Sequence, residues 1–172
     1  MPDFDVVDLE PADHPESGET APDFTRPLVG EEYWEDRSLA SLAENGRVVL
    51  VFTPMNGSFL ARYIWDELVD RKWDTSDATV VGVTISTPYE HKRFVDDHDL
   101  PFELFSDPGN GVAEAYGIAH DLDGMAGVSE PRPAVFVVDG DRTVEQAWVA
   151  SEWPDFPDYD ALEAVLGNDL EE

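Results

Sequence analysis

The fold class this sequence predicts is an α/β three-layer sandwich, a mixed central β-sheet flanked by helices. Three observations predict it. Residues 47–52 (RVVLVF) and 78–85 (ATVVGVTI) are short, continuous apolar runs rich in β-branched residues, as strands buried on both faces require. Each is followed by a helical pattern rather than a tight turn, which makes its connection a crossover. Residues 133–138 form a third apolar run, and Asp139-Gly140-Asp141 turns it into a return strand at Val144–Val149, adding an antiparallel hairpin.

The remaining elements follow in chain order. Residues 1–17 hold several acids, no Lys or Arg, and the breakers Pro2, Pro11 and Pro15. They are expected to form an acidic N-terminal arm, mobile or loosely docked, in which Phe4, Val6, Val7 and Leu9 pack as one short extended piece. Residues 18–166 form the folded domain and 167–172 an acidic tail. Residues 24–29 read as the first strand, and Leu39, Leu42 and Ala43 as a helical turn feeding the central strand at 47–52. Pro54, Asn56 and Gly57 end that strand, because proline has no N–H for the ladder and Asn-Gly accepts tight turns. Ser58 then caps a helix. Leu60, Ile64 and Leu68 recur at helical spacing with Phe59, Tyr63 and Val69 alongside, while Arg62, Asp66 and Asp70 fall outside the stripe. Thr87-Pro88-Tyr89-Glu90 is a helix start with a capping threonine, proline at the first position and glutamate three residues on; that helix runs to about Asp97. Residues 102–105 read as a short edge segment, Asp107-Pro108-Gly109-Asn110 as the turn into a small helix ending at Tyr116-Gly117, and Tyr159, Leu162, Val165 and Leu166 as a final amphipathic helix.

Composition narrows the function classes. The 172 residues suit one domain with a real core. Acids outnumber bases 39 to 10, for a formal charge of −29, yet 42% of residues are hydrophobic and 11% aromatic, so the chain folds rather than remaining a solvated polyacid. A foldable core in so acidic a shell points to a protein of a halophile, where molar salt cuts the screening length to ~3 Å. No basic stripe exists to neutralise phosphates, which excludes nucleic acid. No window of ~18 apolar residues spans a membrane, and the first residues lack a basic segment followed by an apolar run; a cytoplasmic location is expected. With no cysteine there is neither a disulfide nor a cysteine-based zinc site. His14, His91, His98 and His120 show no metal-ligand spacing; His98 within Asp96-Asp97-His98-Asp99 and the sequence Asp121-Leu122-Asp123-Gly124 read as solvated surface. No glycine-rich phosphate loop or nucleophile elbow is present, and no metal or cofactor is expected.

Several of these residues carry a family resemblance. Gly18-Glu19-Thr20-Ala21-Pro22-Asp23-Phe24 is similar to the opening Gly-x-x-Ala-Pro-x-Phe of the peroxiredoxins, of the AhpC/TSA or redoxin kind within the thioredoxin-like fold. Pro54 and Ser58 resemble the Pro-x-x-x-Thr/Ser-x-x-Cys loop of that family, and Ala113 to Gly117 its Ala-x-x-Tyr-Gly. The first count puts Ala61 where the cysteine should stand. Counting back from Glu67-Leu68, which resembles Cys-x-x-Glu-Leu, puts Ile64 there. The family's Arg-x-x-Phe is represented by Phe136 with Arg132 displaced by one residue, and Pro133 stands near the place of the thioredoxin cis-proline. The resemblance covers about residues 18–166. It implies a thioredoxin-like three-layer sandwich, a pocket shaped by Pro54, Ser58 and Arg132, a thioredoxin-like protein partner, and association into a homodimer, for which Trp148, Trp153 and Phe156 are the candidate surface.

The chemistry the family performs needs a thiolate at neutral pH. Ser58 has no flanking histidine to activate it and reads as a helix cap. Met55 can be oxidised only to a sulfoxide that separate enzymes must reduce. The expected function is therefore a peroxiredoxin-like redoxin-domain protein without peroxidase activity, kept as a scaffold or as a ligand- or partner-binding protein. In the ligand-binding form, an anion is held by the N–H groups of Gly57, Ser58 and Phe59 with Arg132. The alternative is a thiol peroxidase of the AhpC/TSA family whose cysteine has been replaced at position 61 or 64, or is supplied by a partner.

Overall fold

The structure, a computed structural model, describes residues 6–121 and 125–166. Phe4, part of the Asp121–Gly124 sequence and the tail at 167–172 lie outside the described residues. In chain order the elements are β1 (Val7–Asp8), β2 (Thr25–Val29), β3 (Trp34–Ser38), α1 (Leu39–Ala43), β4 (Val48–Phe52), α2 (Phe59–Asp70), β5 (Thr79–Thr84), α3 (Pro88–His98), β6 (Glu103–Ser106), α4 (Gly111–Ala115), β7 (Ala119–His120), β8 (Glu130–Pro131), β9 (Ala134–Val138), β10 (Val144–Val149), β11 (Glu152–Trp153) and α5 (Tyr159–Leu166).

Seven strands make one mixed sheet in the order β10-β9-β4-β5-β6-β2-β3. The centre is parallel: β4 pairs with β5 and β5 with β6, each through a helical crossover, α2 and then α3. The hairpin strand β9 closes antiparallel on β4. Alternation along the buried strands feeds two cores. Leu50, Phe52 and Phe136 face α1 and α4, whereas Val49, Val51 and Val135 face α2, α3 and α5. Both faces are covered, which is why these runs are continuously apolar. Gly82 in β5 is where α2 presses closest. A Cβ there would lie 2.5 Å from Trp65 Cζ2 and from Leu104 Cδ2.

Two features differ from the reading of the sequence. Residues 102–105 were expected at an edge, but β6 lies inside the sheet, because β2 pairs with it at Leu28 and Val29 and carries β3 outside. The sequence of β3, Trp-Glu-Asp-Arg-Ser, lacks apolar alternation because it is the exposed outer strand. Pro27 is tolerated in β2 since the pairing with β6 covers only the next two residues. The arm, in turn, is docked over its described length. Val7 pairs with Trp153 and Asp8 with Glu152, Leu9 N–H donates to Ser151 O (3.0 Å), and Gly18 N–H to Val144 O (2.8 Å). Gly117, at φ 72°, leaves room for the carbonyl of Asp13 where any side chain would collide.

Candidate functional site

Strand β4 ends in the loop Thr53–Ser58, which leads into α2 at the carboxyl end of the parallel strands, where α/β sheets place their sites. Ser58 caps α2 as expected: its backbone is extended (φ −76°, ψ 151°) and its Oγ accepts from Ala61 N–H at 3.2 Å. Buried Thr53 donates through Oγ1 to Pro54 O (2.9 Å), and buried Pro54 fixes the strand's exit.

Side chains from β8, from α3 and from the connection between β5 and α3 fasten the loop. Met55 N–H donates to the Oε2 of Glu130 (2.8 Å), a carboxylate from β8 that is only 1% exposed. Asn56 N–H donates to Ser86 Oγ (3.0 Å), and the Asn56 amide meets His91 Nδ1 at 2.9 Å. His91, fully buried on α3, reaches Phe105 O through Nε2 at 3.0 Å. A carbonyl can only accept, so Nε2 carries the proton and Nδ1 accepts from Asn56 Nδ2; the imidazole is neutral. Burial makes the charged ring costly and pushes its pKa down to about 4. Ser106 Oγ donates to Ser86 O (2.7 Å) and steadies the same corner.

Both positions that the sequence offers for the missing cysteine, Ala61 and Ile64, are fully buried on the inner side of α2. The exposed part of the loop is Gly57, flanked by half-buried Ser58 and Phe59. Two adjoining depressions run from there. One, of about 710 Å³, lies over Ser58, Phe59, Arg62 and Tyr63; the other, of about 450 Å³, lies over Tyr89, Arg93 and Asp97; Asn56, Gly57, Phe94 and His98 line both. Among the described residues no three His, Cys, Asp or Glu side chains are grouped as metal ligands; His98 packs on Phe94 at 4.5 Å between ring centroids.

The structure brings Pro54, Gly57, Ser58, Phe59 and Ala61 together but places Arg132 elsewhere. Its guanidinium donates from Nη1 to Glu10 O (2.9 Å) and Ala150 O (3.3 Å), and it lines a separate depression under the N-terminal arm. Among the described residues the cis X–Pro bond is Trp153–Pro154, not Arg132–Pro133. Reasoning from sequence missed Glu130, Ser86 and His91 as supports of the loop. For His91 a signal exists: it shares the inward face of α3 with Phe94 and Val95, at helical spacing.

A seven-stranded mixed sheet between two helical layers, with its site loop entering α2, is a thioredoxin-like domain of the peroxiredoxin kind. The profile of the AhpC/TSA family matches residues 17–147, and the chain belongs to that family. Chloroplastic peroxiredoxin Q of Sedum lineare is 34% identical over 74 residues, which are 43% of this chain and 38% of that protein. The same protein of Gentiana triflora is 32% identical over 74 residues, 43% of this chain and 32% of its own length. The matched stretch therefore spans about a third of the length of these relatives. Peroxidoxin BcpB from Mycobacterium tuberculosis superposes with a TM-score of 0.67 at 23% identity, over 89% of this chain and 95% of that one. A 2-Cys peroxiredoxin of Plasmodium vivax gives 0.71 at 17% identity, over 88% and 80%. At such identities the agreement is one of fold.

Proposed function

We propose that this chain is a peroxiredoxin-fold protein without thiol-peroxidase turnover, which serves as a scaffold binding a ligand or protein partner in the groove beside Ser58. The observation that carries the reading is the pair Ala61 and Ile64. Neither has sulfur, the whole chain has no cysteine, and both sites are sealed from solvent. A peroxide-reducing centre needs an accessible thiolate. The groove itself supports binding: Phe59, Tyr63, Tyr89 and Phe94 give it apolar walls, and Arg62, Arg93 and exposed Gly57 give it polar contacts. Mixing the protein with hydrogen peroxide and a thioredoxin system is expected to give no turnover above buffer. Turnover above buffer would instead favour the thiol-peroxidase alternative, with the thiol lent by the partner.

The same scaffold is proposed to work in a salt-rich cytoplasm, and melting in molar potassium chloride should exceed melting in dilute buffer. Homodimerisation is part of the reading. Tyr63 is 42% exposed and Val7 55% exposed; Tyr63 meets Phe156 edge to face, and Phe59 packs at a tilt on Trp153. Light scattering in molar salt tests it.

A further inference from the structure

We infer that the guanidinium of Arg132 is a binding site for a small carboxylate, held beneath the N-terminal arm and separate from the groove beside Ser58.

The backbone sets the position first. Arg132 follows β8, and its N–H donates to Ile118 O at 2.9 Å, while Pro133 O accepts from Ala150 N–H at 2.9 Å. The side chain is turned inward and is 5% exposed. Its two hydrogen bonds leave from one nitrogen, Nη1, to Glu10 O on the arm and Ala150 O beyond β10. Nε is buried and has no acceptor, and among the described residues Nη2 makes no hydrogen bond either. These two nitrogens form one edge of the guanidinium. Their parallel N–H bonds are the fork that matches the two oxygens of a carboxylate.

The charge is uncompensated as well as the edge. No described carboxylate lies within ion-pair distance; the side chain of exposed Glu10 acts on the guanidinium only through space, and burial pushes the pKa of Arg132 down. A buried cation served by carbonyl oxygens alone is costly unless a counter-ion completes it. Space for one exists in a depression of about 280 Å³ whose lining includes Arg132, Leu9, Glu10, Ala12, His14 and Ser151. A net charge of −29 repels anions from the surface at large, so attraction here would come from this one guanidinium. A planar carboxylate of formate or acetate size offers both the charge and the two parallel acceptors.

The test uses the whole protein with 15N-labelled arginine, titrated with sodium formate against sodium chloride at constant ionic strength. One Nε–H resonance is expected to move saturably with formate and not with chloride, and to be missing from Arg132→Lys. Wild-type melting should rise by about 4 °C once free formate reaches about ten times its Kd, with Arg93→Gln keeping that rise and Arg132→Met losing it. The inference is overturned if no Nε–H resonance responds to formate, or if the responding one survives in Arg132→Lys. An equal response to chloride overturns the carboxylate assignment. If the response to formate appears only in Glu10→Gln, the arm's own side chain is the occupant and the inference also fails. None of these outcomes depends on peroxidase turnover.

Discussion

The loop from Thr53 to Ser58 and the guanidinium of Arg132, which the family resemblance would join in one pocket, differ in how their polar groups are used. In the loop, polar groups are spent internally. Met55 is bonded to Glu130, Asn56 to Ser86 and His91, and Ser58 to its own helix. At Arg132 the opposite holds: two carbonyls occupy Nη1, and the opposite edge has nothing. The loop has become a brace that ties β4, α3 and β8 together, while the cation has been drawn beneath the arm. The turn is held by Glu130, Ser86, His91 and the Ser58 cap, and none of these bonds needs a sulfur at position 61 or 64.

The contrast can be broken most sharply with pH. His91 has a folded pKa of about 4 against its ordinary 6.5, so the unfolded chain binds a proton that the folded chain refuses. Its contribution to stability is complete above pH 6.5, falls as the pH drops toward 4, and levels off below. Over that window the expected loss is about 3 kcal/mol. Urea titrations at several pH values should show it as the difference in slope between wild type and His91→Gln; equal slopes would mean that His91 does not hold the loop.

Removing the carboxylate under Met55 comes next. Glu130→Ala strands a backbone N–H and should cost about 2 kcal/mol by urea unfolding. Ser58→Ala removes a helix cap and should cost about 1 kcal/mol in the same measurement. On the other side of the comparison, Arg132→Met in anion-free buffer should change stability by no more than about 1 kcal/mol, since deleting an uncompensated buried cation offsets the two lost carbonyl bonds. A cost at Arg132 as large as that at Glu130 would erase the distinction between brace and open fork.

Much of the architecture was legible because it depends on local rules. The apolar runs gave β4, β5 and β9, the capping box at Thr87 and Glu90 gave α3, and Asp139-Gly140-Asp141 gave the hairpin. The outer strand β3 was illegible because an edge buried on neither side has no apolar signature. The interior place of β6 was missed for the same reason, since it depends on what β3 and β2 do. Within the site, Ser58 could be read as a cap from its neighbours alone. Glu130 could not, because 75 residues separate it from Met55 and no periodicity links the two.

By itself the sequence determined that this chain folds as a mixed sheet between helices, that it carries −29 formal charges, and that it contains no cysteine. Those properties reside in composition and in short-range pattern, which folding cannot alter. Only the tertiary structure decided where the arginine goes and what the loop is fastened to. Both depend on contacts between segments far apart in the chain, where a single residue of displacement redirects a side chain to another surface.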